Sequence, residues 1–145
     1  MIQKLHIGCD HAGFDLKQEL INLLSSQNYV LTDHGCFSKE SMDYPDVVHP
    51  LADAVESDSE SLGLLICGSG NGVCLTANKH KGIRAALCWL PELGALARQH
   101  NNANILCLPA RFISSEQAKE IVSAYLKAEF EGGRHQTRVD KIVIG

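Results

Sequence analysis

Reactive side chains and glycines follow two apolar segments of this 145-residue sequence. Leu5–Cys9 leads into Asp10 and His11, and Leu62–Cys67 leads into a loop with the spacing Gly68-x-Gly70-x-Gly72. Glycines at alternate positions let backbone N–H groups approach an anion, and the start of a following helix adds partial positive charge. The loop therefore indicates binding of a phosphate or stabilisation of an oxyanion. A tight strand-to-helix turn without a ligand is the competing interpretation.

Cys67 lies where the apolar segment ends and the glycine loop begins. Neighbouring amides and a helix N-terminus favour the thiolate form, which can act as a base or a nucleophile. A buried, unreactive thiol is the usual alternative for a cysteine after an apolar segment. We adopt that alternative for four other cysteines and leave Cys36 open; the four are Cys9, Cys74, Cys88 and Cys107.

Several other chemistries are excluded by spacing. The glycine loop fits neither the dinucleotide fingerprint nor the P-loop pattern, and no cysteine is followed by the Cys-x5-Arg spacing of a tyrosine phosphatase. A phospho-receiver domain needs an aspartate where this chain has Cys67. The sequence contains no C-x-x-C and no H-E-x-x-H, so we predict no metal site.

Two arginines near the C-terminus have helical spacing. Arg134 and Arg138 lie four residues apart, so on a helix both guanidinium groups can clasp one phosphate. Arg111, just after the last strand-like segment, is a third cation that we place near the same end of the sheet. A solvated basic face is the alternative for an isolated arginine pair. Three such cations in an acidic protein favour a small anionic ligand.

Alternating strand-like and helical segments predict a sheet of parallel strands built from βαβ units. The strand-like segments are Leu5–Cys9, Tyr29–Asp33, Leu62–Cys67, Ile83–Trp89 and Asn104–Leu108. Ligands of such sheets bind at the carboxyl ends of the strands. His100 and Asn101 end the helix before the fifth strand, and we expect them to face the same crevice as Cys67.

Start signals place the helices between these strands. Pro45 and Pro91 are typical of a first helical position, although Pro50 complicates the start of the second helix. Ser114-x-x-Gln117 matches a capping box, and the pair Gly132-Gly133 indicates a stop.

Composition limits the partners and the location. The chain has 13 Lys plus Arg against 17 Asp plus Glu, a net charge of −4, which argues against nucleic acid or membrane lipid as a partner. No apolar segment is long enough to cross a bilayer, and we expect no signal peptide, because residues 1–4 lead into the first strand without an apolar h-region. We expect a cytoplasmic protein with free thiols. Residues 1–145 fit one domain, ending in a C-terminal arm of about 131–145.

Seven motifs, taken together, resemble a known family. They are Gly8-Cys9-Asp10-His11-Ala12-Gly13, Asp43-Tyr44-Pro45, Ile66-Cys67-Gly68-Ser69-Gly70-Asn71-Gly72, Ala77-Asn78-Lys79, Gly82-Ile83-Arg84-Ala85, Arg98-Gln99-His100-Asn101 and Glu131-Gly132-Gly133-Arg134-His135. In this order, along nearly the whole chain, they resemble the sugar-phosphate isomerase family that holds ribose-5-phosphate isomerase B and galactose-6-phosphate isomerase subunits.

The resemblance implies an α/β fold, a Rossmann-like three-layer αβα sandwich whose five parallel strands have the order 2-1-3-4-5. It also implies a cofactor-free and metal-free aldose–ketose isomerase of the pentose phosphate pathway. Such an enzyme interconverts D-ribose 5-phosphate and D-ribulose 5-phosphate through a cis-enediolate. A hexose 6-phosphate substrate, allose or galactose, and a non-catalytic phosphosugar-binding module are the alternatives.

The same resemblance implies roles for the site residues. Cys67 would move the proton between C1 and C2. The enediolate would be stabilised by Ser69 and by the loop amides of Gly68, Gly70, Asn71 and Gly72. His100 would open the furanose ring with help from Asp10. The phosphate would be held by His11, Arg111, Arg134 and Arg138. The sugar would be lined by Asp43, Tyr44 and Asn101.

Assembly and specificity are the last implications of the resemblance. A second subunit would complete each site, so a homodimer or homotetramer is expected. Asn71 and Ser69 depart from the apolar residue and the threonine frequent at these positions, and both departures bear on sugar preference.

Overall fold

The computed structural model describes residues 3–144 as five parallel strands alternating with helices. The strands are β1 (Lys4–Cys9), β2 (Val30–Asp33), β3 (Ser61–Cys67), β4 (Ala85–Leu87) and β5 (Ile105–Pro109). The α-helices are α1 (Phe14–Ser26), α2 (Pro45–Ser57), α3 (Asn71–Ala77), α4 (Pro91–Asn101), α5 (Ser115–Lys127) and α6 (Arg134–Asp140). A single 3₁₀ turn, His11–Gly13, connects β1 to α1.

The sheet has the order β2-β1-β3-β5-β4, with every pair parallel. The Rossmann-like αβα class is confirmed, but the predicted order 2-1-3-4-5 is wrong for its last two strands. All five residues of β5 are buried, and β5 pairs with β3 on one side and β4 on the other. β4 has only three half-buried residues, which suit an edge position.

Side chains alternate between the two faces of the sheet and form a separate apolar core on each. On one face Leu64, Ile66 and Leu106 pack with residues of α1, α4 and α5. On the other, Leu65 and Cys107 pack with residues of α2 and α3. Helices therefore cover both faces, which is why the central strands contain almost no polar residues.

The helices begin where the sequence signals predict. Pro45 and Pro91 occupy the first turns of α2 and α4, and the Ser114 capping box is complete, with both reciprocal hydrogen bonds formed. Pro50 does not end α2; it lies on the exposed side of that helix. Among residues 3–144, no helix combines the length and apolar character needed to span a membrane.

Candidate active site

The carboxyl ends of β1, β3 and β5 bring three reactive segments into contact. The Asp10 amide donates to the carbonyl of Ile66 at 3.2 Å, and the Arg111 amide donates to the carbonyl of Gly68 at 3.0 Å. Cys67 is in register with Pro109, the last residue of β5. The structure thus joins the residues after β1, the glycine loop and Arg111 at one edge, as expected for a parallel sheet.

Asp10 and His11 face an open cleft of about 630 Å³, whose lining also includes Asp43 and Tyr44. The Asp10 carboxylate accepts a hydrogen bond from the Ala12 amide at 3.0 Å, which caps the turn and orients the side chain. The His11 Nδ1 accepts from the Met42 amide at 3.3 Å. Because Nδ1 is the acceptor, the neutral ring carries its proton on Nε2 and has that donor for another partner.

The glycine loop is shaped by close contacts that exclude side chains. Gly70 has φ +76°, and a Cβ there would also collide with Leu87 and the backbone at Pro109. The ring of Tyr44 packs against Gly72, and the side chain of Arg111 lies over Gly68. A guanidinium therefore lies at the start of the glycine loop and a phenol ring near its end.

Ser69 and Asn71 are exposed in this loop. The Ser69 hydroxyl accepts a hydrogen bond from the Asn71 amide at 3.2 Å, which leaves its own proton free to donate. An exposed O–H donor at the start of α3 is suited to a negatively charged oxygen.

Cys67 is 4% exposed and packs in the apolar core between the sheet and α2 and α3. Its position at the end of β3 leaves only a small surface for contact with a ligand. Proton abstraction requires only that one substrate carbon reach the Cys67 sulfur, and a small exposed surface is enough for that contact.

The other cysteines have different surroundings. Burial raises the pKa of Cys88 to about 12 and raises the pKa of Cys107 well above its usual range, so both remain thiols. Cys36 is buried, with its Sγ 3.8 Å from that of Cys9. Cys74 is half-buried, and a hydrogen bond with Cys107 lowers its pKa.

His100 and Asn101 lie at the opposite edge of the sheet. The Asn104 carbonyl accepts from the Gly63 amide near the start of β3, and the Asn104 amide donates to Arg84, just before β4. This edge is separated from the carboxyl edge by the length of β5, about 13 Å for its four residue steps. The prediction that His100 and Asn101 face the same crevice as Cys67 is therefore wrong within one chain. A helix that connects two parallel strands ends at the amino edge of the sheet, where the next strand begins.

Arg134 and Arg138 are exposed on α6, which packs against α4 at the amino edge. The prediction that Arg111 lies near them is wrong for one chain, since Arg111 covers the glycine loop. The predicted site residues therefore form two groups. The carboxyl-edge group is Asp10, His11, Asp43, Tyr44, Cys67, Gly68, Ser69, Gly70, Asn71, Gly72 and Arg111; the amino-edge group is His100, Asn101, Arg134 and Arg138.

Two further residues, Glu131 and His135, lie beside His100 at the amino edge. The rings of His100 and His135 stack with centroids 4.1 Å apart, and the Glu131 carboxylate lies 3.7 Å and 3.6 Å from their Nε2 atoms. Burial, the adjacent His100 and Arg134 lower the pKa of His135. The signal available in the sequence is the motif Glu131-Gly132-Gly133-Arg134-His135.

This fold and these motifs define an isomerase class, and comparison with known proteins agrees. A sequence model described as Ribose/Galactose Isomerase matches residues 5–142. The chain belongs to that ribose/galactose isomerase family.

Individual relatives match along nearly their full length. The chain is 46% identical over 144 residues to a probable ribose-5-phosphate isomerase B of Mycoplasma pneumoniae, covering 99% of this chain and 95% of the relative. It is 43% identical to a D-erythrulose-4-phosphate isomerase of Pectobacterium atrosepticum, covering 94% and 90%. A crystal structure of ribose-5-phosphate isomerase B from Mycoplasma genitalium with bound ribulose-5-phosphate has a TM-score of 0.94 at 46% identity, covering 96% and 93%.

Proposed function

We propose that this protein is an aldose–ketose isomerase that interconverts D-ribose 5-phosphate and D-ribulose 5-phosphate without a cofactor. The observation that carries the proposal is the placement of Cys67 beside the glycine loop, with Arg111 over Gly68. Relatives above 40% identity named ribose-5-phosphate isomerase B support the choice of substrate.

Cys67 is the base of the proposed reaction. Its thiolate takes the C2 proton of the open-chain aldose, the electron pair forms the C1–C2 double bond of a cis-enediolate, and the C1 oxygen becomes negatively charged. The proton of the C2 hydroxyl passes to the C1 oxygen, which moves the negative charge to the C2 oxygen. The C2 carbonyl then forms as the electron pair of the double bond takes the proton back from the Cys67 thiol at C1, which gives the ketose and restores the thiolate. Base catalysis of this kind contributes about 10²–10⁴-fold.

The loop amides and Ser69 stabilise the enediolate. N–H and O–H donors fixed toward an oxygen that gains charge only in the transition state lower the barrier more than they strengthen substrate binding. Asp43 and Tyr44 border the same cleft and line the sugar. His11 and Arg111 supply phosphate contacts on this edge, and that remote binding energy holds C1 and C2 against the Cys67 sulfur.

The amino-edge group acts in the site of a second copy of the chain. His100, with Asp10, opens the furanose ring, Asn101 contacts the sugar, and Arg134 and Arg138 hold the phosphate. Because the two residue groups lie at opposite edges of the sheet, about 13 Å apart along β5, we propose a homodimer, or a tetramer made of two such dimers, with sites shared between subunits. Six free cysteines support a cytoplasmic location, because thiols persist in a reducing compartment.

Side-by-side measurement of kcat/KM tests the substrate. We expect ribose 5-phosphate to exceed allose 6-phosphate, galactose 6-phosphate and D-erythrulose 4-phosphate. A tenfold preference for any of these three would overturn the choice, and the four-carbon substrate is included because of the Pectobacterium relative. Binding of ribose 5-phosphate without exchange of its C2 proton with solvent would instead indicate a non-catalytic phosphosugar-binding module.

A further inference from the structure

We propose that His100, Glu131 and His135 form a zinc site, and that zinc bound there inhibits the enzyme. Two imidazoles and one carboxylate are a common zinc ligand set. Their nearest ligand atoms all lie within 4.8 Å of one another, on three successive parts of the amino edge: the end of α4, the segment before α6, and α6 itself. The site leaves a fourth position for water.

Zinc binding requires a small movement of the Glu131 carboxylate and a rotation of the two imidazole rings. Ligand atoms at about 2.0–2.2 Å from a tetrahedral zinc are roughly 3.3 Å apart. The Glu131 oxygen is 3.7 Å from His100 Nε2 and 3.6 Å from His135 Nε2, so each separation must shorten by about 0.3–0.4 Å. The stacked rings, whose planes differ by 11°, must splay so that both lone pairs converge.

The backbone already holds the ligands in place. The Glu131 amide donates to the carbonyl of Gln99 at 3.0 Å, which ties its segment to the last turn of α4. The His135 amide donates to the carbonyl of Gly132, also at 3.0 Å. His135 is buried, whereas the carboxylate is 52% exposed and free to rotate.

Charge sets the expected affinity and the choice of metal. Arg134 and Arg138 repel a dication, so we expect binding weaker than that of a structural zinc site. Nitrogen ligands favour zinc over manganese or iron(II), and zinc does not oxidise the thiols as copper would.

Inhibition follows from His100 and rests on the proposed function. A ring nitrogen bonded to zinc can neither give nor take a proton, so ring opening in the partner site stops. Zinc is then an inhibitor and not a cofactor, and a chelator restores activity.

A second histidine pair in the described residues provides a matched control. His49 Nδ1 lies 2.7 Å from His80 Nε2, but Asp53 and Glu56 face the other ring nitrogen of His80, at 3.3 Å and 3.7 Å. Among residues 3–144, only His100, Glu131 and His135 bring three such ligand atoms within 4.8 Å of one another, so the group around His80 does not converge on one point. This pair has similar chemistry without the converging geometry.

Zinc binding is measured on the purified full-length protein by competition with a chromogenic zinc chelator. We expect one zinc per chain in the wild type, in His49→Gln and in Cys67→Ala. The His135→Gln and Glu131→Gln variants should each bind at least tenfold more weakly. Glu131 is exposed, so its variant tests the site even where His135→Gln fails to fold. The site would be overturned if both variants bound zinc as tightly as the wild type, or if Cys67→Ala lost zinc binding. It would also be overturned if the wild type bound no zinc at about 100 µM, a concentration far above the dissociation constants usual for structural sites.

Inhibition is measured separately by following ribulose 5-phosphate directly, without coupling enzymes. Zinc should inhibit the wild type and His49→Gln reversibly, and in Glu131→Gln the concentration for half-inhibition should rise at least tenfold. Binding without inhibition would overturn the inhibitory role and count against His100 as a catalytic group. Absence of binding to active enzyme would overturn the zinc site alone.

Discussion

Cys67 differs from the other buried cysteines in the segment that follows it. Cys88 and Cys107 are held as thiols by burial among apolar side chains, which is the usual fate of a core cysteine. Cys67 instead is the last residue of β3 and is followed directly by the glycine loop, Gly68 to Gly72. The proposal that Cys67 is the base therefore depends on the loop after it and not on the residue type alone.

Replacing the Cys67 side chain with a methyl group, which removes the thiol, tests this role. We expect Cys67→Ala to lower kcat by about 10²–10⁴-fold, because proton transfer loses its base. Binding of a non-reacting phosphate competitor should be retained, since no phosphate contact is removed. The matched variant Cys74→Ala, whose thiol points toward β4, should keep kcat within about twofold. A Cys67→Ala enzyme retaining more than about a tenth of wild-type kcat would contradict the assignment.

At the scale of elements, a buried lysine connects α1 to the segment after β2. Lys17 is fully buried, and its ammonium donates to both oxygens of Asp33 at 2.7 Å and 2.8 Å and to the carbonyl of Cys36 at 2.7 Å. The Gly35 carbonyl of that segment in turn accepts a hydrogen bond from the Cys9 amide. The ammonium thus ties α1 to the segment that is hydrogen-bonded to Cys9, the residue before Asp10.

Loss of this ammonium should weaken the fold. We expect Lys17→Met to lower the free energy of unfolding by about 2–4 kcal/mol, toward the lower end because Asp33 is partly solvated. Urea unfolding measures the change. Lys119→Met, which removes an exposed pair with Glu116, should change it by less than about 0.5 kcal/mol. Equal effects of the two substitutions would show that the Lys17 contacts contribute little.

A second contact between elements predicts a pH dependence. His6 on β1 and His34 after β2 share a 2.9 Å hydrogen bond. The pKa of each is lowered mainly by burial, although Asp58 and Asp33 partly offset this. Below about pH 6.5 the unfolded chain takes up protons that the folded chain resists, so stability falls as the pH is lowered.

The urea midpoint at pH 7.5 and pH 5.5 checks this sign. Wild type should lose more stability over that interval than His34→Gln, which removes one of the two titrating rings. A variant that loses as much as the wild type would show that other groups cause the acid sensitivity.

At the scale of the whole molecule, the two groups of site residues lie at opposite edges of one sheet. The carboxyl edge holds Cys67 and the glycine loop, and the amino edge holds His100 with the exposed arginines of α6. A two-fold assembly can set the amino edge of one copy over the carboxyl edge of the other, forming two equal sites. Each site then draws its groups from both chains.

Mixing two inactive variants tests shared sites. Random pairing of Cys67→Ala and His100→Gln chains gives half mixed dimers, each with one intact and one doubly altered site. We expect about a quarter of wild-type activity after subunit exchange. The unmixed variants are the controls. If both groups acted within one chain, mixing would restore nothing.

The sequence by itself determined the βαβ alternation, the helix starts and the composition of the loops. These depend on local rules: apolar periodicity selects strand or helix, Pro45 and Ser114 set helix starts, and Gly70 meets a positive φ that other residues avoid. Asp10, the glycine loop and Arg111 were found together because parallel strands end at one edge.

Only the tertiary structure decided the position of β4, the separation of His100 from Cys67, and the meeting of His100, Glu131 and His135. Each depends on contacts between residues distant in the chain. β5, and not β4, pairs with β3, because all five residues of β5 are buried and suit an inner position of the sheet. His100 lies far from Cys67 because α4 is antiparallel to the strands and ends at the amino edge. The segment that begins some thirty residues later brings Glu131 and His135 into contact with His100.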